Sequence, residues 1–496
     1  MLSRKEFFRL AAGAGLLLTA GCASTGGANT SSEGSAGVVR RSALALPEPF
    51  RVPLPVPPVL KPVRSDDSTD YYSVTQQAVR RSLLPGVQTE IWGYNGIFPG
   101  PTLSSVRGRR VVVTHRNALP APTVVHLHGG RTPAEHDGYP TDTIAPAGSR
   151  DYVYPLDQPA ATLWYHYHRM DFTGPQVYRG LAGFHIHRDD HELSLDLPSG
   201  QRDVPLMITD RSFRADGSFD YPSLDPSLLD TPGVTSDAAS GVLGDCILVN
   251  GVPWPVLEVS NTRYRFRILN ASNARRYELA LDPARTPFVQ IGSDQGLLCA
   301  PVAHQTLPVA QAERFDVVID FSAYSVGDRI TLRNLSGSGS TADVLRFVVT
   351  SKAADHSVIP AKLADLPVLR PSDAVVTRDL VFARGASMRG MAMWTINGQP
   401  FDPNRIDVFA RLGTVERWRV RAQNVEHPIH VHLAAFQALS VDGGVPAVGW
   451  KDTVNLDSGG RADLLLRFDR YPGRYVFHCH NLEHEDMMMM GNIQVG

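Results

Sequence analysis

Residues 473–490 read GRYVFHCHNLEHEDMMMM, a lone cysteine between two histidines, followed by a third histidine and four methionines. The run from Gly473 to Cys479 is rich in Val, Tyr and Phe and opens at a glycine, which predicts a strand. On a strand, side chains at i and i+2 share a face while i+1 points the other way. His478 and His480 therefore face one side and Cys479 the other. The thiolate serves a different site from its neighbours, and one peptide bond joins the two sites.

Working outward, the same kind of segment recurs: RRVVVTHRN, PTVVHLHGG, TLWYHYH, RYRFRILNAS, FDVVIDF and VERWRVRA, each short and bounded by Gly, Pro or Asp. Helical periodicity of any length is scarce. The pattern predicts an all-β chain of antiparallel β-sandwiches. It lapses near RDDHELSLDLPSGQRD and SKAADHSVIPAKLADLP, so domains are expected over 70–195, 200–352 and 370–496.

Of 17 histidines, ten fall into four clusters: His126 and His128; His166 and His168; His427, His430 and His432; His478, His480 and His484. Each H-x-H pair aims two imidazoles into one place, and paired strands presenting several would build a polymetal site. In HPIHVH, His430 and His432 share a face, while His427 has the other parity and can join Cys479 across the bend at Pro428. His484 lies five residues after the cysteine and Met489 five after that. Two histidines, a thiolate and a weak thioether describe a blue-copper electron-transfer site, whereas a zinc site needs only about four ligands and leaves the other histidines unexplained. The pair His185 and His187 in FHIH is read as incidental. His115, His136, His191, His304 and His356 stand alone.

The formal net charge of -2 with 20% charged residues lacks the basic surplus of a nucleic-acid binder. Four cysteines in 496 residues are too few for a disulfide framework. Residues 1–22 have a basic start, an apolar stretch and small residues before Cys22, the pattern of an export signal. SRKEFF resembles a twin-arginine motif with Lys5 in the second arginine's place, and TAGC resembles a lipoprotein signal with Leu18 displaced by one position. The expected address is the cell envelope or periplasm, with a lipid on Cys22 as the only membrane attachment. Small, polar and proline-rich sequence over 23–69 is read as a flexible, then stiff, tether.

With these clusters in view, the sequence resembles the multicopper oxidases, the family of laccases, bilirubin oxidases and spore-coat laccases. The likeness runs from about Asp70 to the end and includes YNGIFPGPTL, GDCILVNG, QIGSDQGLL, WTINGQPFDP and GWKDTV. It implies three cupredoxin-like Greek-key sandwiches and four copper ions. His427, Cys479, His484 and Met489 would hold the mononuclear, type 1 ion. His126 and His430 would hold the type 2 ion, and His128, His166, His168, His432, His478 and His480 the coupled type 3 pair. Asp137 and Glu485 match acidic positions that supply protons near the cluster; their other readings are a turn at Asp137-Gly138 and a solvated loop carboxylate. Histidines in GFHIH depart from relatives, which usually have aliphatic or aromatic residues there. Cys246 and Cys299 lie in matching stretches, either bonded to each other or buried as free thiols.

The resemblance implies one-electron oxidation of a small reducing substrate coupled to reduction of dioxygen to water. Cuprous-ion oxidases of the family carry a methionine-rich insert, and the only comparable group here is Met388, Met391 and Met393, read as packing residues. Phenols and aromatic amines are the expected substrates; bilirubin-like pigments or Cu(I) are the alternatives. A copper-binding envelope protein without turnover would have lost cluster histidines, a copper-free structural relative most of both sets, and a nitrite reductase would lack the third domain and the HYH pair.

Overall fold

The computed structural model describes residues 33–386, 393–444 and 449–496. The export signal, Cys22, Met388 and Met391 lie outside them. The described chain forms three two-sheet sandwiches in sequence order. In the first, Arg64–Ser65, Thr69–Arg81, Arg110–Asn117 and Ser149–Tyr154 make one sheet, joined by Thr89–Tyr94, and Gly100–Val106, Ala182–Arg188, Ala161–Tyr167 and Val125–His128 make the other. Val111 and Val113 share one face of their strand and pack with Tyr152, Leu163 and Tyr165 between the sheets. In the third, a sheet centred on Thr414–Ala422 packs on one that orders Val408–Ala410, Met490–Val495, Gly473–Cys479, His427–Val431 and Thr453–Leu456.

The expected antiparallel sheets are in fact mixed. Thr69–Arg81 runs parallel to Arg110–Asn117, Asp203–Arg211 to Arg263–Asn270, and Ala374–Arg384 to Thr414–Ala422. The same crossover is thus repeated in each sandwich. Alternation with period two is common to both strand directions, so the sequence pattern carried no information on direction.

The tether expected over 23–69 gives way to ordered chain from Glu33 onward. Val38–Val39 adds a parallel strand beside Val242–Leu243, Pro53 bridges Val256, and Val59 bridges Thr102. Glu33 pairs with the buried Arg275, Ser42 Oγ donates to Asp245 at 2.6 Å, and the Arg346 guanidinium lies 3.7 Å from the centre of the Phe50 ring. Proline-rich extended backbone suits a sheet edge as well as it suits a spacer, and here the backbone bridges to Val256 and Thr102 make it an edge.

Two buried ionic joints lock the sandwiches together. Between the first and second, Arg265 donates to Asp316 (2.8 Å) and Glu192 (2.5 Å), and Arg267 donates to Asp203 (2.8 Å) and Glu192 (3.0 Å). Between the second and third, Arg314 donates to Asp452 at 2.8 Å and to the carbonyl oxygen of Asp294 at 2.9 Å. Lys451 lies 3.0 Å from Asp294 and 3.1 Å from Glu313. Among the described residues no helix is long and apolar enough to cross a membrane.

Candidate metal centre

Strand register brings the histidine pairs together. His126 lies directly opposite His166 on the antiparallel pair in the first sandwich, and His430 directly opposite His478 on the pair in the third. Directly opposed residues share a face, so each pair of strands presents its imidazoles on one surface. These two surfaces meet. The His126 and His432 rings stack at 3.8 Å, and those of His128 and His430 at 3.7 Å, each stack crossing the boundary between first and third sandwiches.

All eight imidazoles are buried. Three trios bring one nitrogen from each member within 4.8 Å of the others: His126, His128 and His430; His128, His166 and His480; His168, His432 and His478. In the last, His478 Nε2 is 3.2 Å from both His168 Nε2 and His432 Nε2. The ring nitrogens turned away are held by acceptors. The carbonyl oxygens of Asp137, Tyr167, Asp452 and Cys479 accept from Nδ1 of His126 (2.6 Å), His166 (2.9 Å), His430 (2.8 Å) and His478 (3.0 Å). Among the described residues, the Nε2 atoms of His126, His166 and His430, Nδ1 of His128 and both nitrogens of His480 have no hydrogen-bond partner. Buried nitrogens left open on one side and anchored on the other are the donor arrangement of metal-bound histidine. Burial pushes His126, His128, His166, His432 and His480 well below the ordinary imidazole pKa, and His168 to about 4, so the rings are neutral and their lone pairs free.

Cys479 sits on the opposite face of its strand, across from Ile429. Its Sγ lies 3.5 Å from His427 Nδ1 and 3.6 Å from His484 Nδ1, and those two nitrogens are 3.2 Å apart. Their Nε2 atoms are tied to carbonyl oxygens, His427 to Gln423 and His484 to Ser240, each at 3.2 Å. Asn481 caps the short helix Leu482–Asp486 that carries His484, and its amide N–H points at Sγ from 3.5 Å. Burial pushes the Cys479 thiol well up, so a thiolate here requires a cation beside it. Met489 is fully buried and its carbonyl accepts from the Cys479 N–H at 3.1 Å; Met487 is buried in the same cluster. The chemistry of this soft, partly sulfur donor set fits copper, as the imidazole trios also do.

Both expected carboxylates lie beside the histidines and are buried. Asp137 accepts from His432 Nδ1 at 2.7 Å and Thr132 Oγ1 at 3.2 Å, and burial pushes its carboxyl up to about 8. Glu485 accepts from Thr173 Oγ1 at 2.7 Å and lies 3.2 Å from His478 Nδ1. Burial raises its pKa, but His478 and His168 outweigh burial and hold it at about 2. It is not a solvated loop group, since the whole helix is buried and Asp486 accepts from the N–H groups of Thr173 and Gly174 in the first sandwich, both at 2.7 Å.

Sequence reasoning missed Asp452, Gln295 and Trp394. Asp452 Oδ1 is 3.1 Å from His128 Nε2, and Gln295 donates to Asp452 Oδ2 at 2.7 Å. Trp394 lies 3.8 Å from the His484 ring. Asp452 stands within GWKDTV, but a single aspartate just before the strand Thr453–Leu456 carries no periodic signal. His185 and His187 belong to no metal-holding group among the described residues; both are buried and share the Ser105 hydroxyl, at 2.7 and 2.9 Å. Cys246 and Cys299 are free, and Met393 is a buried packing residue.

Residues 75–192 and 376–496 match family models described as multicopper oxidase. A laccase of Bacillus stratosphericus is 39% identical over 89% of this chain and 98% of its own. The chain belongs to the multicopper oxidase family. A bilirubin oxidase of Albifimbria verrucaria is 38% identical, covering 89% of this chain and 80% of the relative. Among solved structures, a laccase from Pediococcus acidilactici superimposes with a TM-score of 0.81 at 33% identity, covering 92% of this chain and 96% of that one. This multicopper oxidase has the cupredoxin-like all-β fold expected from its sequence and is a laccase-like oxidoreductase with copper as its cofactor.

Proposed function

We propose that the chain carries four copper ions and couples one-electron oxidation of phenols or aromatic amines to reduction of dioxygen to water. His427, Cys479, His484 and Met489 would hold the type 1 ion and His126 with His430 the type 2 ion. The coupled pair would take His128, His166 and His480 on one ion and His168, His432 and His478 on the other. Copper supplies one-electron exchange at the thiolate and multi-electron reduction of dioxygen among the histidines. The observation that carries the reading is the alternation at Cys479: its Sγ faces His427 and His484, while the imidazoles one residue away on either side face the trios. The backbone of 478–480 thus gives electrons a covalent path between the two sites.

Asp137 and Glu485 are the proposed proton-handling groups, Asp137 through the oxygen facing His432 Nδ1 and Glu485 through the oxygen facing Thr173. Domain limits of 70–195, 200–352 and 370–496 and delivery to the cell envelope, with a lipid on Cys22 and twin-arginine export, are part of the same reading. The envelope address rests on the sequence of residues 1–22. Phenols are favoured over Cu(I) because Met393 is packed into the fold and the sequence has no longer methionine-rich insert.

The test is a visible spectrum of copper-loaded protein with oxygen uptake driven separately by a phenolic dye precursor and by Cu(I). An intense blue band with phenol-driven uptake is expected. Uptake driven by Cu(I) alone would overturn the substrate class, and a copper-loaded protein without the blue band would remove Cys479 from the site.

A further inference from the structure

A cavity of about 240 Å³ lies at the junction of the three sandwiches, and no residue of the Cys479 site lines it. Its walls mix the apolar side chains of Leu297, Leu366, Leu433 and Trp450 with charged groups, chiefly arginines. Most of those charges are already matched. Asp189 accepts from the N–H groups of Glu192 (2.7 Å) and Ala160 (2.9 Å), and Asp365 pairs with Lys362 at 2.7 Å. Arg107 and Arg470 share Asp157 at 3.1 and 2.8 Å, and Arg467 has Asp469 at 3.8 Å.

Arg131 is the exception. Among the described residues, none forms a hydrogen bond or an ion pair with its guanidinium, and its Nε is sealed from solvent without a partner. Burial pushes its pKa down to about 10, with Arg470 and Arg467 acting in the same direction and the Asp469 and Asp157 carboxylates only partly offsetting them. Arg131 is half-buried in the cavity wall with its guanidinium fork open, and that planar group is the one best matched to a carboxylate. The apolar walls and the Trp450 indole suit a ring, and the volume falls below the roughly 300–1,000 Å³ of pockets for larger ligands, which limits the occupant to about one ring.

We propose that this cavity is a binding site for a small aryl carboxylate, with its carboxylate on Arg131 and its ring against Trp450 and Leu433. The site is separate from the electron-entry site yet adjoins the histidine cluster. Arg131 is three residues beyond His128, and Leu433 directly follows His432. Gln158 accepts from the Arg131 N–H at 2.7 Å and donates to the Gly129 carbonyl at 3.0 Å. Gln295, also in the wall, donates to that carbonyl at 2.9 Å and to Asp452 at 2.7 Å. A ligand on Arg131 is therefore one hydrogen-bonded layer from the residue that holds His128.

The test is calorimetric titration of the copper-loaded full chain with benzoate, benzamide and inorganic phosphate, while the visible and electron paramagnetic resonance spectra are followed. Benzoate is expected to bind saturably with both spectra unchanged. Arg131→Gln and, independently, Leu366→Trp, which fills the cavity but keeps the arginine, should each weaken binding by about tenfold or more. Benzamide and phosphate should bind more weakly by a similar factor. No saturable binding of benzoate, an affinity unchanged from the parent protein in either variant, phosphate binding as tightly as benzoate, or a copper spectrum that shifts with benzoate would each overturn the proposal, the last by placing the carboxylate on the metal.

Discussion

The Cys479 site is built almost wholly inside the third sandwich, whereas the histidine cluster is built between the third sandwich and the first. In the former, one strand pair and the helix Leu482–Asp486 supply Sγ and both Nδ1 atoms, and the Ser240 carbonyl is contributed from outside. In the latter, four histidines come from each sandwich, and their ring stacks cross the boundary. Local register fixes the first site; docking of separate cores fixes the second. Interfaces between domains of one chain are ordinarily mobile unless large or locked, which gives Arg314 and Asp452 their importance here.

The largest expected effect comes from breaking the thiolate site. Cys479→Ser should abolish the blue absorption and reduce phenol-driven oxygen uptake to background, while the paramagnetic signal of copper held by histidine persists. Loss of that second signal as well would mean that the cluster depends on the thiolate site, contrary to the separation drawn above.

The reverse experiment is Arg314→Leu. It removes the buried cation between Asp294 and Asp452 and leaves Asp452 without a cation while Asp294 keeps Lys451, a change that costs about 3–5 kcal/mol in comparable buried pairs. Because Asp452 contacts His128 and its carbonyl holds His430, oxygen reduction should be lost while the blue band is retained. Thermal unfolding and the visible spectrum measured together decide this; a variant that loses the blue band while still folded would show that docking supports both sites.

This contrast also marks how far the sequence could be read. The ten clustered histidines, Cys479 and the strand parity that separates them are local features, and period-two alternation displays them directly. Asp452, Gln295 and Arg314 act only because three cores dock, and no spacing within one segment reports that. The ordered segment after Glu33 was hidden for a related reason: its prolines read as a spacer, and partners far along the chain, Thr102, Val242–Leu243 and Val256, make it an edge.

The joint between first and second sandwiches should show its weakness in acid. Burial pushes Asp203 up, but Arg267 and Arg265 more than offset it and hold it well below the ordinary carboxylate range. A carboxylate depressed in the folded state adds stability that is fully present above its unfolded pKa of about 3.9 and is lost as pH falls through the folded value. Melting temperature should therefore drop progressively below about pH 4. Asp203→Asn should melt lower at neutral pH and lose less on acidification; an unchanged slope would assign the acid sensitivity to other groups.

The smallest effect expected is at His185 and His187, which share the H-x-H spacing of the cluster but not its fate. Their strand, Ala182–Arg188, lies on the far side of Ala161–Tyr167 from Val125–His128, so the pair reaches Ser105 within the first sandwich and not the boundary with the third. His185→Phe should leave copper content and the blue band unchanged and lower stability by only about 0.5–1.5 kcal/mol, the net worth of one hydrogen bond, because the Ser105 hydroxyl keeps His187. A fall in copper content would instead mean that the pair holds metal, and spacing alone would then have been the better guide. Unchanged copper content would show that H-x-H spacing makes a site only when the strand carrying it meets a second sandwich.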